Sequence, residues 1–173
     1  MAWFPNAISL LRLLLGLAFP WLPAIWRLPV VILAAFTDGA DGQASRWLRA
    51  ESKLGVILDP IADKVFFTAV VVTLLLDGNA TWLEVVLISL RDLMVLVGGL
   101  AAWLRDGGSS WRRMQPRPLG KLATVLQFAF IVVVLVEAAA WRTPLLLATA
   151  LISGLAGMDY VWAYVRSLDE PEA

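Results

Sequence analysis

Long runs of apolar residues, separated by short polar breaks, extend along the whole chain. Six such segments cover residues 7–25, 28–48, 54–76, 82–104, 119–140 and 144–165. Each segment is close to the roughly 20 residues that a helix needs to cross about 30 Å of hydrocarbon. The segments are too long for strands, and they lack the alternation of apolar and polar residues that a membrane strand shows. The pattern therefore predicts an all-α integral membrane protein that forms a bundle of six transmembrane helices.

Basic residues are distributed unevenly among the breaks between these segments. The second break, the fourth break and the C-terminal end are flanked by basic side chains, namely Arg46, Arg49, Lys53, Arg105, Arg112, Arg113, Arg117, Lys121 and Arg166. The opposite side of the bundle has only Arg27 and Arg142. Because cytoplasmic loops carry the excess of Lys and Arg, we predict that both termini are cytoplasmic. The N-terminus lacks the basic region of a cleaved signal peptide, so we expect the first segment to be a retained helix.

Composition supports the membrane class and narrows the chemistry. The chain has 173 residues, is 60% hydrophobic and has a mean hydropathy of +0.78, which predicts a single membrane domain over residues 1–173. The sequence contains no Cys and no His, which excludes thiolate nucleophiles, imidazole bases and zinc sites of the Cys/His type. Acid–base or metal chemistry must therefore use carboxylates, helped by Lys or Arg. The net charge is zero, so we expect no nucleic-acid partner.

Four aspartates lie inside the apolar segments, where an ionised Asp costs roughly 2.5–3.5 kcal/mol at a helix centre. Asp38 and Asp41 are three residues apart, and Asp59 and Asp63 are four apart, so each pair projects from one face of its helix. The two helices should be antiparallel neighbours, which would let the pairs face each other. Converging carboxylates without His or Cys favour Mg²⁺ or Mn²⁺, and two such ions are possible. For a single pair, the alternative is a buried polar contact.

These aspartates belong to a longer pattern that resembles the signature of the CDP-alcohol phosphotransferase family, D-x2-D-G-x2-A-R-x8-G-x3-D-x3-D. Its fixed positions are occupied here by Asp38, Asp41, Gly42, Ser45, Arg46, Gly55, Asp59 and Asp63. Ser45 replaces the family's Ala, a change that bears only on the nucleotide contacts. The segments 5–12, 58–65 and 118–127 and the pair Arg91-Asp92 are similar both to bacterial phosphatidylglycerophosphate synthases and to cardiolipin synthases of this family.

The resemblance implies that the chain transfers the phosphatidyl group of CDP-diacylglycerol to an alcohol and releases CMP. The expected acceptor is sn-glycerol 3-phosphate, which gives phosphatidylglycerophosphate, and the compact length favours this type. The alternative within the family is phosphatidylglycerol, which gives cardiolipin, or another alcohol. Asp92 after Arg91, rather than Glu, favours the cardiolipin type. From other classes, a cation transporter fits less well because the acids cluster towards one side of the membrane, and a non-catalytic scaffold would not need the intact motif.

The resemblance also assigns roles to residues. The metal ions, two in number, are expected at Asp38, Asp41, Asp59 and Asp63, and Asp63 is also expected to act as the general base. The CDP portion is expected to contact Asp41, Gly42, Ser45, Arg46, Ser52 and Gly55. The acceptor phosphate is expected at Arg12, Arg91, Arg117 and Lys121. The alternative for this basic set is that it determines topology and faces anionic lipid.

The resemblance further implies a homodimer in contact with membrane lipids. Gly98, Gly99, Gly154 and Gly157 form small-residue surfaces that suit helix association. We expect the protein in a bacterial inner membrane, with its active site facing the cytoplasm. Other acidic residues, including Asp77 and Glu84, are expected to be solvated or interfacial.

Overall fold

A computed structural model describes residues 3–48, 55–106 and 118–169, and the chain is helical in these ranges except for short turns. The described ranges contain seven α-helices, α1 Trp3–Ala18, α2 Ala24–Leu48, α3 Gly55–Leu76, α4 Trp82–Ile88, α5 Leu90–Asp106, α6 Pro118–Leu135 and α7 Ala139–Asp169. A 3-10 turn, Phe19–Trp21, connects α1 to the start of α2. The described ranges contain no strand, so the all-α class predicted from the sequence is confirmed there.

Two of the described helices are long and apolar enough to cross a membrane, Pro118–Leu135 and Ala139–Arg166. Helices α4 and α5 meet at an angle of 64° and supply a third span if the bent pair counts as one. Shorter apolar helices run over Ala7–Trp21 and Ala24–Thr37. These helices agree with the predicted membrane protein class, whereas the count of six spans stays a prediction.

The bend between α4 and α5 differs from the sequence prediction, which drew residues 82–104 as one continuous helix. The carbonyl oxygen of Ile88 lies at the break and accepts hydrogen bonds from Gln127 Nε2 at 2.7 Å and from Ser153 Oγ at 3.3 Å. Both of these side chains are buried. Polar side chains that bond a main-chain carbonyl at this position are a recognised cause of helix kinks. They also satisfy a carbonyl that hydrocarbon would leave without a partner.

The chain divides into two compact units. We call Met1–Thr81 together with Val134–Glu137 the N-terminal unit, and Trp82–Val133 together with Ala138–Ala173 the C-terminal unit. Each unit has its own buried apolar residues, and the two are described separately below.

In the N-terminal unit, α1 packs along α3. The rings of Phe19 and Phe66 meet edge to face, with centroids 6.0 Å apart and planes at 73°, an arrangement that aromatic pairs favour. Gly16 makes the close approach possible, because a Cβ at this position would lie 2.8 Å from Phe66 Cα. The absence of a side chain at Gly16 therefore sets the distance between α1 and α3.

In the C-terminal unit, α5 packs against α7 and α4 is joined to α7 by an ion pair. A Cβ at Gly157 would lie 3.1 Å from Met94 Cβ, so this glycine allows the contact between α5 and α7. Arg142 Nε and Nη2 donate to the two carboxylate oxygens of Glu84 at 2.6 and 2.8 Å. Glu84 is only 8% exposed, so the expectation of a solvated Glu84 is wrong, whereas a position at the membrane interface stays a prediction. A carboxylate at this burial requires a charged partner.

The glycine at position 16 gives a test of the α1–α3 packing. We expect Gly16→Ala to destabilise the protein by about 1–3 kcal/mol, because the new methyl group meets main-chain atoms of Phe66 that cannot move aside alone. Thermal unfolding in detergent, followed by tryptophan fluorescence, measures the effect. Gly154→Ala is the matched control, since no atom lies within 4 Å of its Cβ position and Ala favours a helix by about 1 kcal/mol. Equal unfolding temperatures for both variants would contradict the close approach.

Candidate active site

The aspartates of the motif lie on two helices of the N-terminal unit. Asp38 and Asp41 are in α2, and Asp59 and Asp63 are in α3. The structure describes the side chain of Asp63, and for the other three it describes the helical backbone. With helical backbone at all four positions, spacings of three and four residues place each pair on one helix face, as predicted.

Arg12 from α1 forms an ion pair with Asp63. Arg12 Nη1 donates to Asp63 Oδ1, and Arg12 Nη2 donates to Thr37 Oγ1 at 3.3 Å. The Thr37 hydroxyl in turn donates to the carbonyl oxygen of Ala34 at 2.9 Å. The Arg12 side chain is 5% exposed, whereas that of Asp63 is 40% exposed. The carboxylate therefore has one buried side, held by the guanidinium, and one open side.

A second ion pair joins α2 and α3 at their other ends. Arg27 Nη1, in the first turn of α2, bonds Asp77 Oδ2, directly after α3. The end of α3 is shaped by Gly78, whose φ is +74°, and by the Asn79 N–H, which donates to the Leu74 carbonyl at 2.9 Å. This is a Schellman-type helix end. Asp77 is therefore paired as well as partly exposed.

These two links give α2 and α3 opposite directions along the unit. Arg27 joins the start of α2 to the end of α3, and Arg12 joins Thr37 to Asp63 nearer the start of α3. Asp38 follows Thr37 directly in α2, so its backbone lies at the level of Asp63. The opposite directions agree with the antiparallel arrangement that the sequence predicts, whereas direct packing of α2 against α3, with the aspartate pairs face to face, stays a prediction.

A divalent cation fits the chemistry of this donor set, because carboxylate oxygens are the ligands that Mg²⁺ and Mn²⁺ prefer. Asp63 has an accessible side that could contribute such an oxygen. Among the side chains that the structure describes, no group of three or more acidic residues forms a metal site. The side chains of Asp38, Asp41 and Asp59 lie outside that description, so the metal ligand set stays a prediction.

The residues predicted to contact CDP fall mainly at the end of α2. Gly42, Ser45 and Arg46 are in this helix, and Gly55 begins α3. For these residues only the backbone is described, and Ser52 lies outside the described residues. Their nucleotide contacts therefore stay predictions.

The residues predicted to bind the acceptor have different environments. Arg91, in the first turn of α5, donates from Nη1 to the Gly120 carbonyl and to Thr124 Oγ1, the latter at 2.8 Å. Its Nε and Nη2 donate to Asp92 Oδ1 at 3.2 and 2.8 Å. Lys121, next to Gly120, is exposed. Arg117 lies outside the described residues, and Arg12 is paired with Asp63 as given above.

Arg91 is part of a polar network inside the C-terminal unit. Gln127 Nε2 donates to Asp92 Oδ2 at 2.9 Å as well as to the Ile88 carbonyl. A Cβ at Gly120 would lie 3.3 Å from Tyr160 Oη, so α7 also reaches this position. The network therefore ties α5, α6 and α7 together, and most of the donors of Arg91 serve it.

Sequence reasoning missed two residues that organise these sites, Thr37 and Ser153. Thr37 bonds Arg12, and Ser153 bonds the Ile88 carbonyl. Both are polar residues inside apolar segments, which is the signal that could have found them. That signal marks a side chain that needs a partner, but it does not identify the partner.

Comparison with known proteins adds a family match. The sequence profile of the family described as CDP-alcohol phosphatidyltransferase matches residues 2–159. The chain is 35% identical to the CDP-diacylglycerol–glycerol-3-phosphate 3-phosphatidyltransferase of Cereibacter sphaeroides, over 100% of this chain and 78% of that protein. It is 28% identical to the protein of the same name from Pseudomonas fluorescens, over 95% and 87%. It is also 29% identical to a Mycobacterium tuberculosis protein provisionally named a cardiolipin synthase, over 93% and 78%.

The different environments of Arg91 and Lys121 lead to a stability test. We expect Arg91→Ala to destabilise the protein by about 1–3 kcal/mol, because it removes the donors to the Gly120 carbonyl and to Asp92. We expect Lys121→Ala to change stability by less than about 0.5 kcal/mol, because its side chain is exposed. Thermal unfolding of both purified variants decides the matter. If Lys121→Ala lowered the unfolding temperature as much as Arg91→Ala does, the assignment of Arg91 to the internal network would be contradicted.

Proposed function

Because the chain belongs to the CDP-alcohol phosphatidyltransferase family, we propose that it transfers the phosphatidyl group of CDP-diacylglycerol to sn-glycerol 3-phosphate, giving phosphatidylglycerophosphate and CMP. The family predicted from the aspartate motif is confirmed by the profile match, and the chain is an enzyme of the transferase class. The cation-transporter alternative is set aside on this ground. The observation that supports the reaction best concerns Asp63 on α3. Its side chain is 40% exposed, and its partner Arg12 also bonds Thr37 on α2, the residue before Asp38.

We propose that Asp63 is the general base. Its carboxylate accepts the proton of the acceptor hydroxyl, and the hydroxyl oxygen then forms a bond to the phosphatidyl phosphorus. The bond from that phosphorus to the CMP oxygen breaks, and CMP leaves with the electron pair. A carboxylate is the best base available in this chain, because it contains no histidine. The 40% exposure of the Asp63 side chain provides room for the acceptor.

A divalent cation, Mg²⁺ or Mn²⁺, would neutralise charge on the diphosphate of the substrate when bound. We propose that Asp38, Asp41, Asp59 and Asp63 hold two such ions. The proposal is supported by their placement on α2 and α3. Gly42, Ser45, Arg46, Ser52 and Gly55 would contact the CDP portion next to them.

For the acceptor, we propose that Lys121 contacts the phosphate of sn-glycerol 3-phosphate. Its side chain is exposed, and it follows Gly120, whose carbonyl is held by Arg91. Arg91 would then support the acceptor site by fixing the first turn of α6. Arg117, which precedes this turn, would add a second positive charge. Lys and Arg are the side chains that bind phosphate most effectively.

Cardiolipin synthesis is the second candidate function, with phosphatidylglycerol as the acceptor. It is favoured by Asp92, which accepts from both Arg91 and Gln127 and stands where phosphatidylglycerophosphate synthases carry Glu. The mycobacterial relative provisionally carries this name. Two relatives named for glycerol 3-phosphate, one of them 35% identical to this chain, favour the first candidate.

We further propose a single membrane domain over residues 1–173 with six spans, both termini in the cytoplasm and the active site on the cytoplasmic side of a bacterial inner membrane. The concentration of basic residues on one side supports this topology. A homodimer is proposed from the family resemblance. Of the glycines expected on the dimer surface, Gly157 is used by Met94 within the unit.

Purified protein tests the reaction. We expect CMP release from CDP-diacylglycerol in the presence of Mn²⁺ and sn-glycerol 3-phosphate, and none when EDTA removes the cation. Phosphatidylglycerol, inositol phosphate and serine are compared as acceptors, and Asp63→Asn serves as the inactive variant. Loss of the general base should lower kcat by roughly 10²–10⁴-fold. The Asn carbonyl oxygen can still accept from Arg12, so the variant should fold.

Asp77→Asn is the matched control for Asp63→Asn. It removes the carboxylate of the ion pair that Asp77 forms with Arg27, and we expect its kcat to equal that of the unaltered protein. If phosphatidylglycerol were the only acceptor that supports turnover, the product would be cardiolipin, and Asp63 would still be the proposed base. Absence of CMP release with every acceptor would refute the enzyme assignment, and full activity in Asp63→Asn would refute the base.

The proposed topology can be tested cleanly because the chain contains no cysteine. We expect a single cysteine introduced at Ala139 to react with a membrane-impermeant maleimide in intact cells, since the break before α7 is proposed to face outwards. A cysteine at Ser109, in the basic fourth break, should react only after the cells are permeabilised. The reverse labelling pattern would invert the orientation, and labelling of both sites from outside would contradict the six-span count.

A further inference from the structure

We propose that Arg12 is a positioning residue for Asp63, and that it fixes the orientation of the carboxylate that takes the acceptor's proton. This inference rests on the proposed function, because it concerns the general base proposed there. It replaces the expectation that Arg12 binds the acceptor phosphate.

An aspartate carboxylate needs an external contact to hold one orientation. Rotation about its terminal sp³–sp² bond is broad, so the side chain has no strongly preferred angle of its own. Arg12 Nη1 bonds Oδ1 of Asp63. This hydrogen bond distinguishes the two oxygens, because Oδ1 is turned towards a side chain that is only 5% exposed. The Asp63 side chain as a whole stays 40% exposed, and the proposed acceptor would approach from its exposed part.

Arg12 can act as a fixed support because it is itself held in place. Its Nη2 donates to Thr37 Oγ1, whose hydroxyl is bonded to the Ala34 carbonyl. The guanidinium is therefore anchored to α2 at the residue before Asp38. A single side chain thus sets Asp63 in relation to the other aspartate helix.

The main chain supports the same contact. Gly16 lies one turn after Arg12 in α1, and its Cβ position is 2.8 Å from Phe66 Cα. Phe66 lies almost one turn after Asp63 in α3. The close approach of the two helices at Gly16 therefore fixes the distance that the Arg12 side chain spans.

Burial makes Arg12 a poor acceptor-binding residue. An acceptor that enters and leaves must reach the guanidinium, but 95% of this side chain is covered. Two of its donors already serve Asp63 and Thr37. A buried guanidinium of this kind holds its neighbours, whereas an exposed one can bind an exchanging phosphate.

Steady-state kinetics of Arg12→Gln and Arg12→Lys test the proposal. Gln keeps a hydrogen-bond donor without the charge, and Lys keeps the charge without the planar fork. We expect kcat to fall on the order of 10²-fold for Gln, the loss that a misplacement of about 1 Å can cause, with a smaller fall for Lys. KM for CDP-diacylglycerol and for sn-glycerol 3-phosphate should stay close to the values of the unaltered protein. Thr37→Val, which removes the anchor of Arg12 but leaves Asp63 its partner, should reduce kcat less than Arg12→Gln does.

Two further measurements separate positioning from simple loss of structure. Added guanidinium should restore part of the kcat of Arg12→Ala, because the small cation can occupy the space next to Asp63. Binding of Mn²⁺, followed by electron paramagnetic resonance, should be retained in Arg12→Gln. Arg27→Gln is the matched control, since it breaks the described pair of Arg27 with Asp77 in the same unit, and its kcat should be unchanged.

The outcomes that overturn the proposal are distinct. A raised KM for the acceptor with unchanged kcat would return Arg12 to the acceptor site. Loss of Mn²⁺ binding would make Arg12 a support of the cation instead. If kcat fell equally in Arg12→Gln and Arg27→Gln, both arginines would have only a structural role. Unchanged kinetics in an active enzyme would refute this role alone, whereas an unaltered protein that releases no CMP would refute the proposed function and this role with it.

Discussion

A guanidinium that is buried among apolar helices must be surrounded by groups that accept its hydrogen bonds and balance its charge. Arg12 places this requirement on the N-terminal unit. Its partners come from two other helices, a carboxylate on α3 and a hydroxyl on α2, so the burial of one side chain on α1 determines how three helices meet. Gly16 then allows α1 to lie close enough to α3 for the contact to form.

The C-terminal unit has the converse requirement, because a main-chain carbonyl at a helix break needs hydrogen-bond donors. The helix breaks after Ile88, and the freed carbonyl is bonded by Gln127 and Ser153 from two other helices. Gln127 passes the network on to Asp92, which is also paired with Arg91. A bend in an apolar bundle is tolerated where buried polar side chains satisfy the main chain around it. The bend and the polar network are therefore one feature, and the ion pair of Glu84 with Arg142 adds a second tie between α4 and α7.

Asp63 combines two demands that usually fall on different residues. Its carboxylate balances a buried charge on one side and stays open on the other. The first demand keeps the carboxylate in place, and the second is what the proposed general base requires. The proposed role as a base needs both properties: a buried partner compensates the charge of the carboxylate, and part of the side chain stays exposed.

The sequence by itself determined the all-α class, the helical segments and the family, because long apolar runs and a spaced set of eight polar and glycine positions are local patterns. It also placed both aspartate pairs on helix faces, since that depends only on helical periodicity. It did not determine that Arg12 pairs with Asp63, that Glu84 is buried against Arg142 or that the fourth segment bends at Ser89. These features join residues 51 to 65 positions apart. Only the tertiary structure decided them, because a polar residue in an apolar helix must find a partner, and the choice of partner depends on which helices pack together.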